Sequence, residues 1–166
     1  MAVSILRVVT PNSQTKIAPY LVVTRKNEGE KMEDSGVEWK VMAIRGATTA
    51  AANTALAIQE AVTELLDALE SRNQLEPKSI VSATFSVTRD LDAIFPAAIA
   101  RQRPGWDSVP LLDVQQMYVP TDLPRCIRFL IHVNLPPHTH VHHPYLKEAK
   151  NLRPDLSFAP ASSNRT

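Results

Sequence analysis

Apolar residues recur at two different periods along this chain, and the change from one to the other marks out its elements. From Val37 to Arg45 apolar and β-prone residues run together until Gly46, which predicts a strand ending in a turn with Arg45 at its mouth. Asn53 is suited to cap a helix. After it Ile58, Val62, Leu65, Leu66 and Leu69 recur at steps of three and four, which predicts a helix to about Arg72 with one apolar face. Ile80 to Val87 reads as a second strand. Pro96 opens a short helix through Arg101 that Pro104 and Gly105 terminate, and Leu111 to Val119 reads as a third strand. Asp122 and Pro124 then turn the chain into its clearest strand, Cys126 to Val133. There Ile127, Phe129, Ile131 and Val133 share one face while Arg128 projects from the other. Pro136 and Pro137 end that strand, and a last helix is expected around Tyr145 to Lys150.

Strands interleaved with two or three helices, and one amphipathic helix face in need of a sheet, predict an α+β fold. Its mixed sheet carries helices on one side and leaves the other face uncovered. An uncovered sheet face argues for self-association. With 166 residues the chain has room for one core, so a single domain is expected over residues 37–157, between a leader of residues 1–36 and a flexible tail of residues 158–166. From Met1 to Asn27 there is no Asp or Glu, while Arg7, Lys16, Arg25 and Lys26 are scattered among hydroxyl residues, a composition shared with organelle transit peptides. Two readings stay open: a poorly ordered leader on a cytoplasmic protein, or a transit segment that directs it to the plastid stroma.

Composition narrows the function classes. Apolar residues at 44% and charged residues at 21% are ordinary for a folded, water-soluble chain. The 18 basic and 17 acidic side chains nearly cancel, leaving no broad cationic field to hold a nucleic acid. No apolar run approaches the roughly 18 residues of a membrane-spanning helix. Cys126 is the only cysteine, so an intrachain disulfide is excluded, and its apolar strand is a poor place for a thiolate nucleophile.

Candidate chemistry begins with Arg128, because a guanidinium within an apolar strand must be paired or reach water. Arg45 stands similarly at the end of an apolar strand. No Asp or Glu lies within several residues of either to serve as a local partner, so the two together suggest an anionic small molecule. His138, His140, His142 and His143 crowd together before Pro144, but without the thiolate or carboxylate spacing of a zinc site, and no metal is expected. A Gly-x-Ser-x-Gly elbow, a His-Glu-x-x-His helix and a Gly-rich phosphate loop are all missing from the sequence. The absence fits a chemistry that uses neither nucleophile, metal nor cofactor.

Ala43-Ile-Arg-Gly-Ala-Thr-Thr49 resembles the opening strand of the trimeric α/β class of chorismate mutases. Thr88-Arg-Asp-Leu-Asp-Ala-Ile-Phe-Pro-Ala97 with Arg101, Gly105-Trp106, Val109-Pro110, Cys126-Ile-Arg128, Tyr145-Leu146 and Leu152-Arg-Pro-Asp-Leu156 resemble that family's later motifs in the same order. The resemblance covers nearly all of Val37 to Leu156. It implies a homotrimeric pseudo-α/β-barrel with active sites between subunits, a fold shared with trimeric imine deaminases, and a cofactor-free rearrangement of chorismate to prephenate in aromatic amino acid biosynthesis. It also implies that Arg45 and Tyr145 hold a substrate carboxylate and that Arg128 faces the ether oxygen of the breaking bond. Phe95, Ala97, Leu111, Leu112 and Leu152 would then form the wall, with Arg101 and Arg153 on segments that attract or close over the dianion.

The chain departs from the family at Gln116, where a glutamate usually accepts the hydrogen bond of the substrate's ring hydroxyl, and at Asp113, where a small uncharged residue is common. The expectation is that the carboxylate has moved from one position to the other and that Asp113→Asn lowers turnover strongly. Ala98 also replaces a lysine of some relatives. Two alternatives follow, a non-catalytic binder of chorismate-like metabolites and an imine deaminase of similar fold.

Overall fold

The computed structural model describes residues 38–157. Residues 1–37 and 158–166, and with them the expected leader and tail, lie outside these. Four strands, β1 (Lys40–Thr49), β2 (Ile80–Val87), β3 (Leu111–Gln115) and β4 (Cys126–Leu135), form one sheet in the order β1-β4-β2-β3. β4 pairs antiparallel with β1 and β2, whereas β2 pairs parallel with β3, so the sheet is mixed as predicted. The parallel pair needs a crossover, and the segment carrying helix α2 (Pro96–Arg101) supplies it. Helix α1 (Ala55–Asn73) joins β1 to β2, and a 3-10 helix (Lys147–Leu152) with the short helix α3 (Pro154–Ser157) closes the described chain.

The core lies between α1 and one sheet face. Pairing register brings Ile44, Ile131 and Ala83 into one row and Gly46, Phe129 and Phe85 into the next, all on the same face. Against them α1 buries Ile58, Val62, Leu65, Leu66 and Leu69, the five residues whose spacing predicted the helix. Each such side chain contributes roughly 1.5–3 kcal/mol on leaving water. Beyond α2, the fully buried Trp106 donates its indole N–H to Glu70 Oε1 at 2.8 Å. Arg103 pairs with Glu70 at 2.6 Å and with Asp67 at 2.7 Å. This polar cluster fastens the chain after α2 to α1 and so fixes where α2 meets β3.

Several boundaries differ from the sequence expectation, each for a local reason. Thr54, not Asn53, caps α1, with its hydroxyl accepting from the Ala57 N–H at 3.2 Å. Asn53 instead accepts from the N–H groups of Asp92 and Ala93, tying the start of α1 to the loop before α2. β1 runs through Gly46 to Thr49, because that glycine gives room to the Phe129 ring rather than turning the chain. β3 stops at Gln115, after which Met117 to Thr121 leave the sheet and the Arg89 guanidinium lies 3.4 Å from the Tyr118 ring centroid. Tyr145 is in extended chain, not helix: Ala47 donates to Pro144 O at 3.0 Å and accepts from the Leu146 N–H at 2.9 Å, making a parallel bridge along β1.

The other sheet face carries Arg45 from β1, Arg128, Leu130 and His132 from β4, and Leu112 and Val114 from β3. One end of it is covered, where Ala47, Cys126, Tyr145 and Ala149 form a small buried cluster with Leu152 and Leu156 packed against it. The rest is open, with Leu112 at 57% and Leu130 at 40% exposure. Among the described residues no helix is long and apolar enough to cross a membrane.

Candidate active site

Arg128 sits on an inner strand, with Ala47 opposite it on β1 and Ser86 opposite it on β2. Both neighbours are small, so the guanidinium has room to reach along the open face. Its Nη2 donates to Asp122 Oδ1 at 2.8 Å, and both side chains are partly buried. No acid adjoins this arginine in the sequence. Its acid is Asp122, six positions away in sequence, folded back by the turn that leads into β4. The Leu123 N–H donates to the same Oδ1 at 2.8 Å, and the Gln116 side-chain amide donates to Oδ2. Burial pushes the Asp122 carboxyl upward. The bonds from Arg128 and Leu123, together with the arginine's charge, outweigh burial and hold the carboxyl below the usual range.

Gln116 is placed by its own backbone, whose N–H donates to Val87 O at 2.9 Å beyond the last β3 residue. Its side-chain oxygen Oε1 is buried and has no hydrogen-bond partner among the described residues. Gln116, Met117, Val119 and Asp122 line two adjoining cavities. One, of about 230 Å³, extends to Thr88, Asp90 and Tyr118, and the other, of about 370 Å³, is open and reaches Arg128. Both are of the order of a small-molecule site.

Arg45 shares this face. It lies opposite Leu130 and is therefore a diagonal neighbour of Arg128, with Cα atoms roughly 7–8 Å apart by the geometry of antiparallel pairs. Its backbone N–H donates to His143 Nδ1 at 3.1 Å. Burial first, and then the charges of Arg45, Arg153 and the neighbouring histidines, push the His143 pKa down, which suits a ring nitrogen acting as acceptor. Tyr145 and Leu152 join the same end of the face through the small cluster around Ala47. Arg153 holds Asp155 through two bonds, at 2.9 and 2.7 Å. Cys126 is fully buried beside them, and burial pushes its thiol up to about 11, so it holds no thiolate near neutral pH. Among the described residues no group of three or more histidine, cysteine or acidic side chains is placed to hold a metal ion.

The remaining expected residues gather elsewhere. Asp113 pairs with Phe85 in the β2–β3 ladder, which puts it on the helix-covered face, and its Oδ1 accepts from the Ala97 N–H at 3.0 Å. Burial pushes its carboxyl up, against the pull of that N–H and of Arg101. Leu111 shares its face, Phe95, 70% exposed, immediately precedes helix α2, and Arg101 is that helix's last residue. Within one protomer, then, Asp113 does not stand beside Gln116 and Arg128: it pairs with Phe85 on the face that α1 covers, whereas Arg128 lies on the opposite face and Gln116 lines the cavity that reaches it.

A model of the family chorismate mutase type I matches residues 41–156, most of the chain and all of the sheet but its first residue. The chain belongs to that family. It is 37% identical over 119 residues to the chorismate mutase AroH of Bacillus subtilis, covering 71% of this chain and 94% of that one. To AroH of Thermus thermophilus it is 43% identical over 121 residues, covering 72% and 98%. Among solved structures, a chorismate mutase from Clostridium thermocellum matches with a TM-score of 0.63 and 43% identity, covering 66% of this chain and 98% of the other. Both ends of the matched region fall at the limits of the fold described above, and the motifs quoted from Ala43 to Leu156 all lie within it.

The side chain that sequence reading passed over in this type I chorismate mutase is Asp122, taken there only as a turn former. Its signal was an acid between Pro120 and Pro124, two residues that restrict the loop just ahead of the arginine-bearing strand.

Proposed function

We propose that this chain rearranges chorismate to prephenate at the open face of its sheet, with Arg128 supplying the fixed positive charge at the breaking ether bond. The reaction is intramolecular: a carbon–oxygen bond breaks as a carbon–carbon bond forms, and no proton, electron or leaving group passes to the protein. Catalysis then needs only a selected conformer and a charge where charge grows. The observation that carries this reading is the partly buried Arg128 guanidinium, held at a cavity on the same face as Arg45. Arg45 would bind a carboxylate of the dianion, with Tyr145 beside it, and Leu152 would add apolar wall.

The working unit in this reading is a homotrimer. Support comes from the exposed Leu112, Val114 and Leu130 on the open face, which a second copy would cover. It comes also from the division of the expected residues. Arg45, Arg128 and Leu112 face one side of the sheet, with Gln116 and Tyr145 beside them, whereas Leu111 and Asp113 face the other, next to α2, which carries Ala97 and Arg101 and follows Phe95. A site shared by two copies would bring the second group of one subunit to the first group of its neighbour. The curated relatives come from bacteria, cells without plastids, which favours the cytoplasmic reading of the chain over the plastid one.

The test follows the loss of chorismate absorbance with purified protein, prephenate being confirmed as product. Saturable conversion by the wild type is expected, with Arg128→Ala about a hundred- to a thousandfold slower and losing far more turnover than folding stability. No conversion above the spontaneous background, in a folded protein that still binds chorismate, would overturn the enzyme in favour of a binding protein.

A further inference from the structure

A buried acceptor without a partner and a carboxylate shared by three donors meet at Gln116 and Asp122. The Asp122 carboxylate accepts from Arg128 and Leu123 on Oδ1 and from the Gln116 amide on Oδ2. An ionised carboxylate only accepts, so Gln116 must turn its NH₂ group toward Asp122, and its oxygen is forced to the opposite side. That oxygen is the buried one left unpaired among the described residues, on a side chain that lines both cavities. An amide oxygen buried without a donor keeps its desolvation cost uncompensated, so such an atom in a site asks for a ligand's donor.

We infer that Asp122 is a positioning residue that fixes the orientation of the Gln116 amide, so that Gln116 Oε1 accepts a hydrogen bond from the ring hydroxyl of the substrate. The inference rests on the proposed function and adds how this chain reads that hydroxyl with a neutral side chain. A free glutamine has two amide orientations, and one would present a donor where an acceptor is needed. Asp122 removes the wrong one. The same carboxylate holds Arg128, so the charge that meets the ether oxygen and the acceptor that meets the hydroxyl share one anchor, while the guanidinium keeps further donors for the substrate.

Substitution of the anchor has a defined consequence. In Asp122→Asn, the new amide oxygen is claimed by Arg128 and the Leu123 N–H, which leaves an NH₂ group facing Gln116. Gln116 then turns its oxygen to that group and its own NH₂ toward the substrate. In Gln116→Glu alone, two carboxylates meet at Oδ2 and repel. In the exchange Asp122→Asn with Gln116→Glu, the introduced asparagine donates to one oxygen of the introduced glutamate, and the other oxygen is free to accept from the substrate.

Steady-state kinetics on the four proteins, with melting temperatures for each, test this. Each single variant is expected to lose roughly tenfold or more in kcat/KM, the scale of one hydrogen bond at a site, and the exchanged pair to recover most of it. Losses that multiply in the double variant would overturn the positioning role. So would an Asp122→Asn protein with unchanged kinetics. Should Asp122→Asn melt far below the wild type, Asp122→Ser serves in its place: its hydroxyl can turn to accept from Gln116, so it should lose less than Asp122→Ala, and equal losses would overturn the role. A wild type without mutase activity, by contrast, would fail the proposed function itself.

Discussion

Arg45 and Arg128 are diagonal neighbours on the antiparallel strands β1 and β4, both on the sheet face opposite helix α1. Two cations so close repel unless an anion joins them, and Asp122 answers only one. If the substrate dianion joins the pair, the two arginines have different tasks. Arg45 holds a carboxylate whose charge is the same before and during reaction, so Arg45→Ala is expected to raise KM about tenfold or more with a smaller change in kcat. Arg128→Ala lowers kcat. Steady-state kinetics on both variants check the division, and an equal fall in kcat would reject it.

Acid should separate the two aspartates. Asp122 is held below the usual carboxylate range in the folded chain, so its pair with Arg128 contributes fully above the unfolded value of about 3.9. That contribution is lost as pH falls through the lowered value, so the melting temperatures of wild type and Asp122→Asn should converge at low pH. Asp113 has the opposite sign. Its carboxyl is raised by burial, so the folded chain binds its proton more tightly than the unfolded one, and stability is lost as pH rises through the raised value. Asp113→Asn keeps an oxygen for the Ala97 N–H without the partly buried charge, and at neutral pH it should melt no lower than the wild type. A clear drop at pH 7 would show that the charge itself is needed.

Gly46 is fixed by packing. A Cβ at this position would come within 2.7 Å of Phe129 Cε1, on a buried ring that stands edge-on to Phe85 with centroids 6.5 Å apart. Gly46→Ala should cost about 1–3 kcal/mol, the scale of an overpacked core, and disturb Arg45 beside it. Urea unfolding measures this. Adding Phe129→Leu should return part of the loss, and no return would place the strain in the backbone.

Periodicity by itself determined most of the architecture. The face of α1, the alternation of β4 and the proline-bounded helix α2 could be read directly, because burial repeats every 3.6 residues in a helix and every two in a strand. So could the unusual position of Arg128, since a charge inside an apolar strand stands out from its neighbours. What sequence could not determine was which residues meet across the sheet. Register placed Asp113 on the helix-covered face, while the chain leaving β3 after Gln115 carries Gln116 to the cavity of Arg128, a separation that three positions of sequence do not reveal. The partner of Arg128 also depended on tertiary structure. Asp122 reads as a turn former in one dimension, and only the return of the loop between Pro120 and Pro124 brings its carboxylate to the arginine and the glutamine together. Local pattern sets which faces are apolar, whereas pairing register and loop closure, both products of the whole fold, set which polar groups share a site.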